Sequence, residues 1–165
     1  MSIVAEIPLV GAGGEPVDFA RTIVSHSVAE LPPNRLDLEA RMLEATLPIA
    51  GGARTVRISE ADGNARIELV AGRSSERAAR TLAATVAHMF RLDEDLSGFY
   101  VLAREDPELG WCGLGAGRML RAPTVFEDVV KTMCTLVRTA GRAIATAHQA
   151  RRCLPMAPVA LLSPA

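Results

Sequence analysis

Apolar and polar positions along the chain follow two different periods, and the change between them divides it. Ile3 to Val10 is apolar with polar interruptions and closes on Gly11-Ala12-Gly13-Gly14, a pattern that predicts a first strand and a turn. Pro16 to Ser25 predicts a short amphipathic helix, with Phe19, Ala20, Ile23 and Val24 inward and Arg21 in water. Beyond Leu31-Pro32-Pro33, Leu36, Leu38, Ala40 and Met42 alternate with Asp37, Glu39 and Arg41, and Leu43 to Ile49 continues that ribbon past a bulge. Val56 and Ile58 alternate with Thr55, Arg57 and Ser59. Asp62-Gly63 signals a tight turn, and Ala65, Ile67 and Leu69 then alternate with Arg66 and Glu68. Period-2 alternation buries one face of an antiparallel meander and wets the other. After Gly72 the period lengthens. Ser74 caps a predicted helix to about Arg91, with Ala78, Leu82, Thr85, Val86 and Met89 at three- and four-residue steps. Arg73, Arg77 and Arg80 fall on its early polar side, as a solvated face or as phosphate contacts. The expected class is α+β, with helices packed on one face of an antiparallel β-sheet.

The second half reads as helical. Asp93-Glu94-Asp95, bracketed by Leu92 and Leu96, places acids at the positive end of a helix beginning at Ser97. Phe99, Tyr100, Leu102 and Ala103 form its apolar side, and Trp111 and Leu114 are expected to pack on it before the turn Gly113 to Gly117. Tyr100 and Trp111 are core residues or, alternatively, platforms for an extruded base. Pro123 holds Ala122 extended, Thr124 is a good N-cap and Glu127 completes a capping box. Val125, Val129, Thr132 and Met133 then share one side, with Phe126 and Val130 on its flank, as in a buried helix of a larger helical body. Arg118 and Arg121 flank the loop before this helix N-terminus and are the candidate DNA contacts. The alternative is that they solvate the loop or pair with Asp106 and Glu108.

Composition narrows the classes. Half the residues are apolar (49%) and 22% charged, ordinary for a globular chain. The formal net charge is −1; the last thirty residues hold four arginines and no acid, which leaves −5 on the rest. An acidic body argues against strong independent DNA affinity. Cys112, Cys134 and Cys153 form no C-x-x-C pair, and His26, His88 and His148 show no ligand spacing, so neither metal nor disulfide framework is expected. The early glycines fit no nucleotide-loop pattern, and no cofactor is expected. The N-terminus lacks signal-peptide character and the apolar run Cys153 to Ala165 is too short to span a bilayer, so a cytoplasmic location is expected and no membrane partner.

Three segments carry a resemblance: Phe19 to Asn34, with His26 and Leu31-Pro32-Pro33; His88 to Tyr100, with Leu92-Asp93-Glu94-Asp95-Leu96 and Phe99-Tyr100; and Gly117 to Lys131, with Arg118, Arg121, Pro123-Thr124, Phe126-Glu127 and Val130. In this order they resemble the helix-hairpin-helix superfamily of DNA glycosylases, specifically bacterial 3-methyladenine DNA glycosylase II and its 8-oxoguanine glycosylase relatives. The resemblance covers about residues 1–135. It implies a TATA-binding-protein-like N-terminal α+β domain over 1–91 and the first helices of an all-α glycosylase domain over 92–135. The implied activity is removal of damaged bases in base excision repair, on double-stranded DNA. From Leu136 the resemblance ends. The last thirty residues have no Asp, Glu, Lys or aromatic residue, and no Gly follows Gly141. The family's Gly-rich hairpin and essential Asp therefore have no counterpart positions, no catalytic residue is assigned, and the chain alone is expected to be inactive. One lysine beside seventeen arginines marks a GC-rich coding sequence, which read out of frame tends to give Arg, Ala and Pro. The alternative is a non-catalytic DNA- or protein-binding module. Residues 136–165 form a divergent tail: a weak helical stripe (Val137, Ala140, Ile144, Ala147), then disorder from Arg152. Self-association is expected through the apolar face of helix 124–135.

Overall fold

A computed structural model describes residues 2–25 and 27–134, without the side chains of Ser27 and Val28. The helix and the disorder expected within 136–165, together with His26, His148 and Cys153, lie outside the described residues. Met1–Asp128 forms one compact unit. Its strands are β1 (Ser2–Pro8), β2 (Arg35–Asp37), β3 (Met42–Ile49), β4 (Gly52–Ala61) and β5 (Asn64–Leu69). Its helices are α1 (Phe19–Ile23), α2 (Glu76–Met89) and α3 (Ser97–Glu105), with short 3-10 turns at Ser27–Glu30 and Gly110–Leu114. A fourth helix, α4, begins at 125, and residues 129–134, all helical, are the described part of the second unit.

The five strands make one antiparallel sheet in the order β1-β5-β4-β3-β2. Alternation decides its two faces. Leu43, Ile58 and Ile67 lie in one cross-strand row, and Ala45, Val56 and Leu69 in the next; all six are buried. The opposite face carries Glu44, Arg57 and Glu68 in register, with an Arg57–Glu44 ion pair at 3.4 Å, and Thr46 hydrogen-bonds Thr55 at 3.0 Å. The Asp62-Gly63 turn forms as expected. Both residues have positive φ (50° and 74°), the twist that a two-residue hairpin loop requires, and glycine adopts it without a Cβ penalty.

The ribbon expected from Leu36 onward divides. β2 stops at Asp37, whose Oδ1 accepts from the Ala40 amide at 2.9 Å. This side-chain turn reverses the chain, and β2 pairs with β3 rather than continuing into it. Leu38, assigned to the inner face by alternation, is exposed in that turn.

Helices cover the apolar face. Leu82, Val86 and Met89 of α2 join the buried cluster with Phe90, and α2 lies against β1 and β3. Its N-cap is Ser75, one residue later than expected, accepting from Ala78 N at 3.2 Å. In α1, Phe19 and Ile23 are buried, and Phe19 stacks on Phe90 with ring centroids 5.2 Å apart. Each buried phenyl contributes about 1.5–3 kcal/mol of transfer free energy. α1 runs only five residues, from the Asp18 cap to Ile23. Val24 therefore sits past the helix end and is exposed rather than inward. The protein is α+β, with a five-stranded antiparallel sheet and helices on one face.

Candidate nucleic-acid interface

The segment between α2 and α4 is the candidate site, because it holds both arginines. α2 ends at Met89 with Phe90 as its C-cap, and Arg91 turns the chain with φ 56°. The three acids that follow separate into different tasks. Asp95 Oδ1 accepts from the Ser97 amide at 2.8 Å and starts α3, and hydrogen bonding to Ser97 holds its carboxyl below the usual range. Glu94 accepts from Arg91 Nε at 2.7 Å and pairs with Arg121. These guanidinium partners, Arg91 foremost, lower the Glu94 carboxyl. Asp93 approaches His88 at 4.0 Å and Arg121 at 3.9 Å.

Arg118 lies inside the fold. Its side chain has 0% exposure and pairs with Glu15, itself 4% exposed, from the turn after β1. It also donates to the carbonyls of Arg91 and, at 3.1 Å, Glu94. Glu15 Oε1 accepts in addition from the Leu96 amide at 2.8 Å. One buried carboxylate thus joins the β1 turn, the start of α3 and the loop before α4. Neither Asp106 nor Glu108 is the partner; Asp106 instead caps the next turn through the Glu108 amide at 2.7 Å. Glu15 Oε2 and Arg118 Nε are buried without a hydrogen-bond partner among the described residues, so the pair is only partly satisfied. With its side chain fully buried, Arg118 is positioned as a strut of the junction. Arg121 is 31% exposed, and its charge is set against Glu94 and Asp93.

The aromatic candidates also separate. Tyr100 is buried and its hydroxyl donates to Ala116 O at 2.8 Å; burial raises its phenol pKa. It is a core residue. Trp111 is half-exposed, with the Arg21 guanidinium 5.3 Å from its ring centroid. Phe99 and Leu102, expected on the inner side of α3, are exposed with Val101, while Tyr100 and Ala103 are buried. Leu114, expected to pack on α3, is exposed as well. Gly115 (φ 99°) brings the Gly110–Leu114 turn against the segment leading into α1; a Cβ there would lie 2.8 Å from Asp18 N and 2.9 Å from Pro16 O.

Thr124 caps α4, its Oγ1 accepting from Glu127 N at 3.2 Å, and Asp128 reaches back to the Ala122 amide at 3.3 Å. Val125 and Phe126 of its first turn are nonetheless exposed, Phe126 at 78%. Among the described residues no group of three His, Cys, Asp or Glu side chains is placed to hold a metal, and no helix is long and apolar enough to cross a membrane. Comparison of the chain with protein families, curated proteins and solved structures finds no match.

Proposed function

We propose that the chain is the N-terminal portion of a helix-hairpin-helix DNA glycosylase-like protein, working in base excision repair on alkylated or oxidised bases. One observation carries this reading: the three resembling segments, far apart in sequence, meet in one junction. Phe19 of the first stacks on Phe90 of the second. Ser25 Oγ of the first accepts from Leu120 N of the third at 2.9 Å. Arg121 N of the third donates to Met89 O of the second at 2.9 Å, and Arg118 donates to the Arg91 carbonyl. In this reading the sheet with α1 and α2 is the TATA-binding-protein-like half, and α3 and α4 open the glycosylase body. The exposed Phe99, Leu102, Trp111, Leu114, Val125 and Phe126 form the surface that a complete helical body covers.

The partner is double-stranded DNA, bound weakly by this chain because its body is acidic and Arg118 is consumed internally. Arg121 remains the candidate phosphate contact. The chain alone releases no base, since no position supplies the catalytic Asp. Incubation with methylated or 8-oxoguanine-containing duplex tests this: base release above a mock preparation refutes it. The coding DNA for residues 134–165 tests the family reading. Another frame is expected to encode a Gly-rich hairpin followed by an Asp; three frames without that pattern leave the non-catalytic module. The exposed apolar side chains also make the isolated chain self-associate. In gel filtration, Val125→Glu/Phe126→Glu is expected to shift it toward monomer, and a wild type already monomeric at tens of micromolar rules the association out.

A further inference from the structure

At the end of the sheet formed by the β3–β4 turn, a cleft of about 390 Å³ opens between that hairpin and the start of α2. Three arginines line it and no acid does: Arg54, Arg73 and Arg77, with Ser75 and Thr81. Each comes from a different piece of local structure. Arg54 sits opposite the buried Leu47 and two residues before the buried Val56, so the period of the strand puts it on the helix-covered face, at the rim where the core ends. Arg73 lies in the connection from β5 to α2, and Arg77 is the second residue of α2.

None of the three has an ion-pair partner among the described residues; Arg54 donates only to its neighbouring Ala53 carbonyl, at 2.8 Å. The nearest acid in sequence, Glu76, is taken by Arg80 at 2.6 Å. α2 runs fourteen residues. Ser75 Oγ occupies the Ala78 amide, while the Glu76 and Arg77 amides fall in the first turn, where no intrahelical carbonyl is within reach. The cleft beside β2 makes the contrast: Arg35 and Arg57 there are accompanied by Asp37, Glu39 and Glu44, and Arg57 pairs with Glu44.

We propose that Arg54, Arg73 and Arg77 form a phosphate-binding site, the forked guanidinium donors and the α2 first-turn amides surrounding the oxygens of one phosphate group. The site is open, so the phosphate arrives either as a small phosphate ester or as part of a polynucleotide backbone. It is independent of the glycosylase reading and lies outside the residues that carry the resemblance.

Two probes and two variants test it. Inorganic phosphate is titrated into the full chain while the Glu76 and Arg77 amide resonances are followed, and a labelled 20-base-pair duplex is titrated by anisotropy across a salt series. The variants are Arg54→Ala/Arg73→Ala/Arg77→Ala and a charge-matched control, Arg41→Ala/Arg66→Ala/Arg104→Ala. Five of the six arginines are exposed and Arg66 is half-buried beside Glu6, and circular dichroism checks that both variants fold. The expected result is that phosphate shifts the Glu76 and Arg77 amides of the wild type and the control but not of the cleft variant. If the source is a polynucleotide, duplex affinity also falls at least tenfold in the cleft variant alone, and its salt slope shrinks by about 0.9 for each phosphate that an arginine no longer neutralises. An amide shift with unchanged duplex binding assigns a small phosphate ester. No response to either probe, or an equal loss in the control, overturns the site.

Discussion

Replacing Arg118 with methionine separates a strut from a DNA contact. The side chain is fully buried, pairs with Glu15 and donates to the carbonyls of Arg91 and Glu94. Methionine fills much of the same volume but leaves the Glu15 carboxylate buried, with only the Leu96 amide, at 2.8 Å, to support it among the described residues. Breaking one side of a buried ion pair typically costs about 3–5 kcal/mol, mostly the penalty of the stranded charge. Against a domain stability of roughly 5–15 kcal/mol, that is a large fraction of the total. At a few degrees per kcal/mol for a unit of this size, the melting midpoint falls by roughly 10–20 °C. Glu15→Leu/Arg118→Met removes both charges together and is expected to be less damaging than Arg118→Met alone, because nothing charged is left in the junction. Urea unfolding followed by circular dichroism at pH 7 measures all three proteins, and a duplex titration accompanies it. A loss below about 1 kcal/mol in Arg118→Met, with DNA affinity reduced, would refute the reasoning and return Arg118 to the phosphate.

Three further outcomes follow from the same geometry. Gly115→Ala is expected to destabilise more than Gly63→Ala. Both have positive φ, but a Cβ at Gly115 meets the Asp18 and Pro16 backbone whereas one at Gly63 meets nothing within 4 Å; chemical denaturation of the pair checks the order. The Glu94 carboxyl is held below its ordinary value of 4.5, so its stabilising contribution is present above that value and is lost as pH falls through the folded pKa. The gap in melting temperature between wild type and Glu94→Gln should therefore be widest at pH 6 and narrow by pH 3; a gap that widens on acidification contradicts the assignment. Thr124→Ala removes the acceptor for Glu127 N and is expected to cost about 1 kcal/mol, read as roughly fivefold faster hydrogen exchange at that amide.

Where a few neighbouring residues decide the outcome, the sequence was enough. Alternation in Val56–Ile58 and Ala65–Ile67–Leu69 fixed which face is buried, because neighbouring strand side chains must point opposite ways. Asp62-Gly63 specified its turn through backbone sterics, and Thr124 its cap through a hydroxyl three residues from the amide it serves. Local signals that competed were harder to read. Leu38 and Ala40 kept the strand period, but the Asp37 carboxylate bonding to Ala40 N turned the chain, and α1 ended at Ile23 although the apolar pattern ran on to Val24. The pairing of Glu15 with Arg118 spans 103 positions and has no periodicity to announce it. The sequence offered an arginine beside a helix N-terminus, which suits a phosphate, and only the tertiary approach of the β1 turn turned it into a buried strut. The gathering of Arg54 with Arg73 and Arg77 is of the same kind: strand register carries one arginine and a helix start the others. Periodicity marks which residues prefer to leave water, whereas the side chains that meet are chosen by how the sheet and helices pack, through contacts between residues far apart along the chain.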